Sequence, residues 1–296
     1  MVAKFKAYWY RQDKVAYVFL APSMIILFLF AFIPLVAALV ISLLNIDIFF
    51  NNISFAGIKN FIAAFQDERF INALKNTVVF AIIEVPLQIV IGLLIANTLS
   101  HNSLFSKVAR SVFFIPVVCS MAAIGVVWSL MADGNIGIIS YIVKKLCGVD
   151  INLFRQAGTA MPTVIAMTVW KNFGYTMSIL VVGIQGISQE LYEAAEIDGA
   201  NGRQKFFNVT IPRLLPSLGF CLITNLIGSL QVFDQVYVTT SGGPQYKTET
   251  LVYYIYKTGF TSPFNLGYAS AMSVLLLVVI LIISLPLYFK MFKREE

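Results

Sequence analysis

Residues able to do chemistry are few in this chain, and their spacing suits almost none of the familiar constellations. A single histidine, His101, cannot build an imidazole metal cluster. Cys119, Cys147 and Cys221 lie far apart with no C-x-x-C pair, so neither a zinc site nor a disulfide framework is indicated. A membrane-embedded enzyme would need acids, His or Cys gathered at one face, and no such gathering is visible. No Gly-x-x-x-x-Gly-Lys-Ser/Thr occurs, nor any Gly-Lys dipeptide, so the chain does not cradle ATP phosphates by that device. No catalytic residue, metal ligand or bound cofactor is expected.

What remains is a small set of polar groups inside long apolar runs, where a charge is costly and by default raises a functional question. Asp234 has Gln231 and Gln235 nearby and Phe233 and Tyr237 adjacent. Hydrogen-bonding groups beside aromatic faces suit a sugar on its way through a membrane, although Asp234 also fits a role tying helices together. Lys171 and Asn172 follow Trp170. Lys171 can line a solute path or snorkel to an interface. Glu84 precedes Gln88 by one helical turn. Asn225 stands mid-run and can bond across a helix interface or face the solute.

The most informative segment is polar and lies at about 188–213, Ser-Gln-Glu-Leu-Tyr-Glu-Ala-Ala-Glu-Ile-Asp-Gly-Ala-Asn-Gly-Arg-Gln-Lys-Phe-Phe-Asn-Val-Thr-Ile-Pro-Arg. Ser188 is placed to cap a helix whose first turn holds Glu190. Leu191, Ala194 and Ala195 share a face. Gly199 can supply the positive φ that ends such a helix. Asn201 and Gln204 then read as a capping box that restarts one, and Pro212 closes it. The expectation is two short helices joined by a sharp bend. Small residues at 194 and 195 permit close approach of another surface, and Glu193 offers it a charge. A solvated loop capping its own bundle is the alternative.

These groups must be positioned by membrane helices. Of the 296 residues, 58% are hydrophobic and 12% charged, and mean hydropathy is +0.81. A soluble chain carries about 25% charged residues, so a soluble enzyme, a nucleic-acid binder and a disordered protein fit poorly. A bilayer core is crossed by about 20 apolar helical residues. Six runs qualify: 15–45, 76–101, 111–132, 159–189, 214–246 and 258–289. None alternates as barrel strands would. The side carrying both termini, with Lys4, Lys6, Arg11, Lys14, Lys290, Lys293 and Arg294, holds most of the 21 Lys and Arg and is expected to be cytoplasmic. Loops near 99–110 and 188–213 then share that side, and those near 46–70, 133–158 and 241–263 face outward. The net charge of +6 reflects basic loops rather than a nucleic-acid partner. Tyr141 to Cys147 reads as a short amphipathic helix on the outer membrane surface. No repeat or linker divides the chain, so 1–296 is read as one transmembrane domain.

The pattern Glu193-Ala194-Ala195, Gly199, Val209, Ile211-Pro212 resembles the signature loop of membrane subunits of binding-protein-dependent ABC importers. Val and Ile stand there for the usual Ile and Leu. The longer ELYEAAEIDGA (190–200) is similar to the carbohydrate branch, as are FDQVYVTTSGGP (233–244), YYIY (253–256), GYASAMS (267–273), NTVVF (76–80) and the Arg110, Pro116, Trp128 spacing. The resemblance covers about residues 15–290. It implies an all-α membrane permease of the type I importer kind and a coupling loop docked on a cytoplasmic ATPase subunit. Glu193 would form an ion pair there, Ala194 and Ala195 the close contact, and Gly199 the bend. ATP and Mg would sit on that partner. The resemblance also implies a second, related permease subunit completing the pore and an extracytoplasmic solute-binding protein. Gly242, Gly243 and Pro244 would form either an outer docking loop or simply a tight turn. Asp234, Gln231, Tyr237, Asn225 and Lys171 are the residues expected along the solute path. An ion-coupled secondary transporter is the rival reading; it would show broken helices and internal repeats and would leave the loop unexplained.

Overall fold

The computed structural model describes residues 12–50, 53–148 and 151–292. The basic terminal residues Lys4, Lys6, Arg11, Lys293 and Arg294 lie outside them. Helices dominate, as backbone groups in lipid require. Among the described residues four are long and apolar enough to cross a bilayer, and the number is six if each of two sharply bent pairs counts as one span. The chain divides into two compact units, residues 1–66 with 255–275 and residues 67–254 with 276–296.

The first unit begins with α1 (Gln12–Leu27) and α2 (Ile33–Ser42), joined by a π-helical turn at Phe28–Phe32. The window from Ala16 to Ser42 buries nothing at its most apolar stretch. Its surface is that of a helix meant for lipid or another chain. A two-residue hairpin follows, β1 (Leu44–Asn45) antiparallel to β2 (Ser54–Phe55). Asn60, on α3 (Lys59–Gln66), donates to the carbonyls of Ser42 and Leu44 at 2.9 Å each, satisfying groups left open where α2 ends.

The second unit contains α4 (Glu68–Leu99), α5 (Leu104–Val118), α6 (Met121–Met131), α7 (Ile138–Cys147) and α8 (Ala160–Gln185). Next come α9 (Gln189–Ile197), α10 (Gly202–Lys205), a π turn at Phe206–Thr210, α11 (Ile211–Arg213), α12 (Leu215–Leu230) and α13 (Asp234–Thr239). Two helices run across both units, α14 (Leu251–Phe260) and α15 (Leu266–Phe292). Its core is α4 against α8. The buried stripe Ala73, Thr77, Phe80, Ala81, Glu84, Gln88, Gly92 and Ala96 follows the helical period along one face of α4. Small residues set the approach. A Cβ on Gly92 would lie 3.0 Å from Thr176, and one on Gly174 would lie 2.3 Å from the carbonyl oxygen of Phe113 on α5.

Two apolar runs expected as single spans are broken. Residues 111–132 fold as the end of α5 and all of α6, whose axes differ by 96°. Cys119 and Ser120 both leave the helical region there, with ψ 145° and 134°. Pro116 already weakens the last turn of α5 by withholding its N–H. The run 214–246 holds α12, a break at 231–233, α13 and the turn beyond. The span through α12 begins earlier, at Gly202, and bends by 67° near Leu214. Pro212 does not end its helix. It lies inside α11, directly after the π turn, whose wider loop relieves the clash a proline ring makes with the carbonyl four residues back.

Candidate functional site

The bent pair at 188–213 is built as its residues dictate. Ser188 holds the N-cap position of α9 without a side-chain capping bond. At the other end Gly199 has φ +79°. Ala200 donates its N–H to Ala195 O at 2.8 Å, and Gly199 donates to Glu196 O at 3.0 Å. This is the Schellman pattern that closes a helix through a left-handed residue. An ideal Cβ on Gly199 would meet nothing within 4 Å, so glycine is needed there for its backbone and not for space. Two residues later the capping box is complete: Gln204 N donates to Asn201 Oδ1 at 2.9 Å, and Asn201 N donates to Gln204 Oε1 at 2.8 Å. Tyr192 Oη and Thr210 Oγ1 share a hydrogen bond of 3.0 Å, and Lys205 pairs with Glu196, so both arms are tied together. Glu193 and Ala194 are exposed, and Ala195 is half-buried. Ile197, 87% exposed, projects from the same turn. The outer face of the bend thus presents exposed acids beside an exposed aliphatic side chain. The position of Ile197 two residues before Gly199, at the end of α9, was the available signal in the sequence.

A second site lies among the helices. A cavity of about 210 Å³ is walled by α4, α8, α12 and the start of α13, with Val117 from α5. Its polar wall includes Glu84, Gln88, Asn172, Tyr175, Asn225 and Gln235. Thr176 Oγ1 accepts from Gln88 Nε2 at 2.9 Å and from Asn225 Nδ2 at 3.0 Å, which locks three helices behind the cavity. Of the five residues expected along a solute path, Asn225 lines this space. Lys171 does not: its Nζ donates to Val117 O at 3.1 Å. That carbonyl belongs to the last turn of α5, left open by the break, so Lys171 acts as a C-terminal cap with the favourable sign for the helix dipole. Asp234 and Gln231 are exposed at the two sides of the α12–α13 break. Tyr237 is exposed and stacks on Phe233 with centroids 5.3 Å apart.

The third feature is the turn at Gly242, Gly243 and Pro244. Gly242 has φ +80°, and a Cβ there would sit 2.9 Å from the Tyr253 ring. Here glycine answers both to conformation and to contact. Burial, then the charge of Glu249, raises the Tyr253 phenol above its ordinary pKa. Thr248 Oγ1 donates to Gly243 O at 2.6 Å. The segment beyond the turn is clamped to the start of α4 by a pair that the sequence reading missed. Arg69 donates from Nε to Glu249 Oε2 at 2.7 Å and from its terminal nitrogen to Oε1 at 2.6 Å. Glu249 is fully buried, and the Arg69 guanidinium lies 4.3 Å above the Tyr246 ring and 4.9 Å above that of Tyr254. Asn76 adds bonds to the carbonyls of Tyr246 and Glu249 at 2.8 and 3.0 Å.

Residues 88–295 match the family model described as the binding-protein-dependent transport system inner membrane component. The chain belongs to this family. It is 35% identical to the probable ABC transporter permease protein YurN of Bacillus subtilis, over 96% of this chain and 99% of that protein. It is 33% identical to the sn-glycerol-3-phosphate transport system permease protein UgpA of Agrobacterium fabrum, over 90% of each. Its fold matches a bacterial ABC transporter involved in the import of the acidic polysaccharide alginate, with TM-score 0.81, 22% identity and 96% of both chains covered. The same fold occurs in the alginate transporter solved in complex with a pentasaccharide-bound periplasmic protein, with TM-score 0.79 at 23% identity and 94% and 93% coverage. The chain is therefore a permease subunit of a binding-protein-dependent ABC importer, a transport component of the type I fold rather than a catalytic one. The secondary-transporter reading falls with that membership, although the broken helices it would show are present.

Proposed function

We propose that this chain forms half of the translocation pathway for a carbohydrate or related polyol and takes its energy from a separate ATPase subunit through the bend at 188–213. The observation that carries this reading is the α9–Gly199–α10 bend, rigidly closed at both ends, with Glu193 and Ile197 turned outward. Glu193 pairs with a base on the ATPase, Ala194 and Ala195 allow close contact, Gly199 sets the angle, and Pro212 with the π turn before it passes the motion into α12. Nucleotide and Mg belong to that partner. A rigid-body switch of this kind converts closure of two ATPase subunits into alternating access. A second permease subunit supplies the other half of the pore. The lipid-like surface of α1 and α2 is available to it or to the bilayer. Both termini and the bend lie in the cytoplasm. A solute-binding protein delivers at the outer face, near Gly242, Gly243 and Pro244. The UgpA relative, an sn-glycerol-3-phosphate permease, supports a polyol- or sugar-type solute.

The test is ATP-driven uptake by the complete importer in proteoliposomes. Glu193→Lys is expected to abolish uptake while the chain still inserts and assembles with the other permease. Uptake at the level of the unaltered protein would refute the coupling role.

A further inference from the structure

The wall of the cavity among α4, α8 and α12 carries an acid with nothing to do. Glu84 is 3% exposed, yet its carboxyl meets no cation and no hydrogen-bond donor among the described residues. Buried carboxyls are ordinarily paired; among the described residues no fully enclosed side-chain oxygen lacks a partner, so the Glu84 carboxyl stays open to the cavity. One turn further along the same face, Gln88 shows the ordinary fate: its amide is consumed by Thr176 and by the carbonyl of Asn172. Glu84 instead faces open space lined by the Tyr175 phenol and by Asn172, Asn225 and Gln235. Neither Lys nor Arg lines the cavity, and the nearby Lys171 is turned to the end of α5.

We propose that Glu84 is a solute-contacting residue and that this cavity passes polyhydroxylated solutes carrying no anionic group, that is, neutral or amine-bearing sugars in preference to sugar phosphates and uronates. This rests on the pathway reading above. The chemistry follows from the wall. Sugar hydroxyls donate to a carboxylate and accept from amide nitrogens, so the acid's open valence is met by the solute itself. An ammonium on the solute would be held more strongly still. A phosphate or carboxylate would have to shed water with no base on this wall to offset it, and beside a like charge whenever Glu84 is ionised. The cavity lies below the roughly 300–1,000 Å³ of ordinary ligand pockets, so this wall receives about one sugar ring.

The experiment needs no knowledge of the natural solute. In the complete importer, with Cys119, Cys147 and Cys221 replaced by Ser, Gly228→Cys places a thiol on the cavity wall where an added Cβ meets nothing within 4 Å. Its modification by a cationic and an anionic methanethiosulfonate of matched size is followed at pH 8, with and without ATP, each rate divided by that on a free thiol. The cationic reagent is expected to react about tenfold faster than the anionic one, and Glu84→Gln to reduce that preference to within about threefold. Equal rates, a faster anionic reagent, or an unchanged preference in Glu84→Gln would overturn the proposal. A thiol that neither reagent reaches, with or without ATP, would do so too. Dependence on ATP tests the pathway reading separately: if reactivity follows ATP but not reagent charge, only the inference about solute charge fails.

Discussion

Gly199 offers a graded test of the bend. Its φ of +79° places it in the left-handed region, and its missing side chain would touch nothing. Substitution therefore carries a backbone penalty and no steric one. For an L-residue that penalty is about 1–2 kcal/mol, and Asn largely escapes it. Two hydrogen bonds, Ala200 N to Ala195 O and Gly199 N to Glu196 O, depend on this conformation. With the flanks held by Tyr192–Thr210 and the Asn201 capping box, strain at 199 re-aims α9 rather than dispersing along the chain. A penalty of 1–2 kcal/mol is about 5–30-fold in population. In reconstituted complexes, ATP-driven uptake is expected to fall within about twofold for Gly199→Asn, about fivefold for Gly199→Ala and about thirtyfold for Gly199→Val, whose β-branch resists this region further. Membrane levels should not change, because no core contact is touched. Uptake by Gly199→Val equal to that by Gly199→Asn would show that the bend's geometry does not transmit the motion.

Other outcomes follow from the same geometry. Arg69→Ala leaves the fully buried Glu249 unpaired and is expected to cost about 3–5 kcal/mol, whereas Glu249→Gln, which leaves the partly exposed guanidinium its solvent, costs about 1–2. Melting temperatures of the purified chain in detergent would rank them, and a larger loss for Glu249→Gln would contradict the clamp as drawn. Lys171→Met frees the Val117 carbonyl at the end of α5 and should lower stability by about 1–3 kcal/mol with Lys171→Arg closer to the original, as read by the same melts. Asp234→Asn is expected to alter the KM for uptake with ATPase docking intact; unchanged uptake kinetics would remove Asp234 from the solute path.

Local signals were the legible ones. The capping box at Asn201 and Gln204 and the positive φ at Gly199 are written within a few residues of themselves, so their geometry could be read directly. The apolar runs likewise disclosed the membrane helices, since length and missing charge suffice. The break at Cys119 and Ser120 was not legible: apart from Pro116 every residue from 111 to 132 is compatible with one straight span, and Pro116 alone does not choose between a kink and a stop. Lys171 looked like a lysine in search of an interface because the carbonyl it caps exists only once that break has formed. Arg69 and Glu249 stand 180 positions apart, and nothing near either announces the other. Asp234 drew attention as a charge in an apolar run; it stands exposed beside the helix break at 231–233 and outside the cavity. Glu84, the acid that does face a cavity, was indistinguishable from it by composition, because only packing tells which face of α4 turns inward.

On the proposed coupling, this permease moves solute only when an ATPase works on its bend. That dependence is tested most directly by measuring accumulation of labelled solute in vesicles holding both permease subunits and the binding protein, with the ATPase subunits and ATP present or omitted. Accumulation above the outside concentration is expected with the ATPase and ATP together, and none when either is left out. Concentrative accumulation without the ATPase would contradict the coupling.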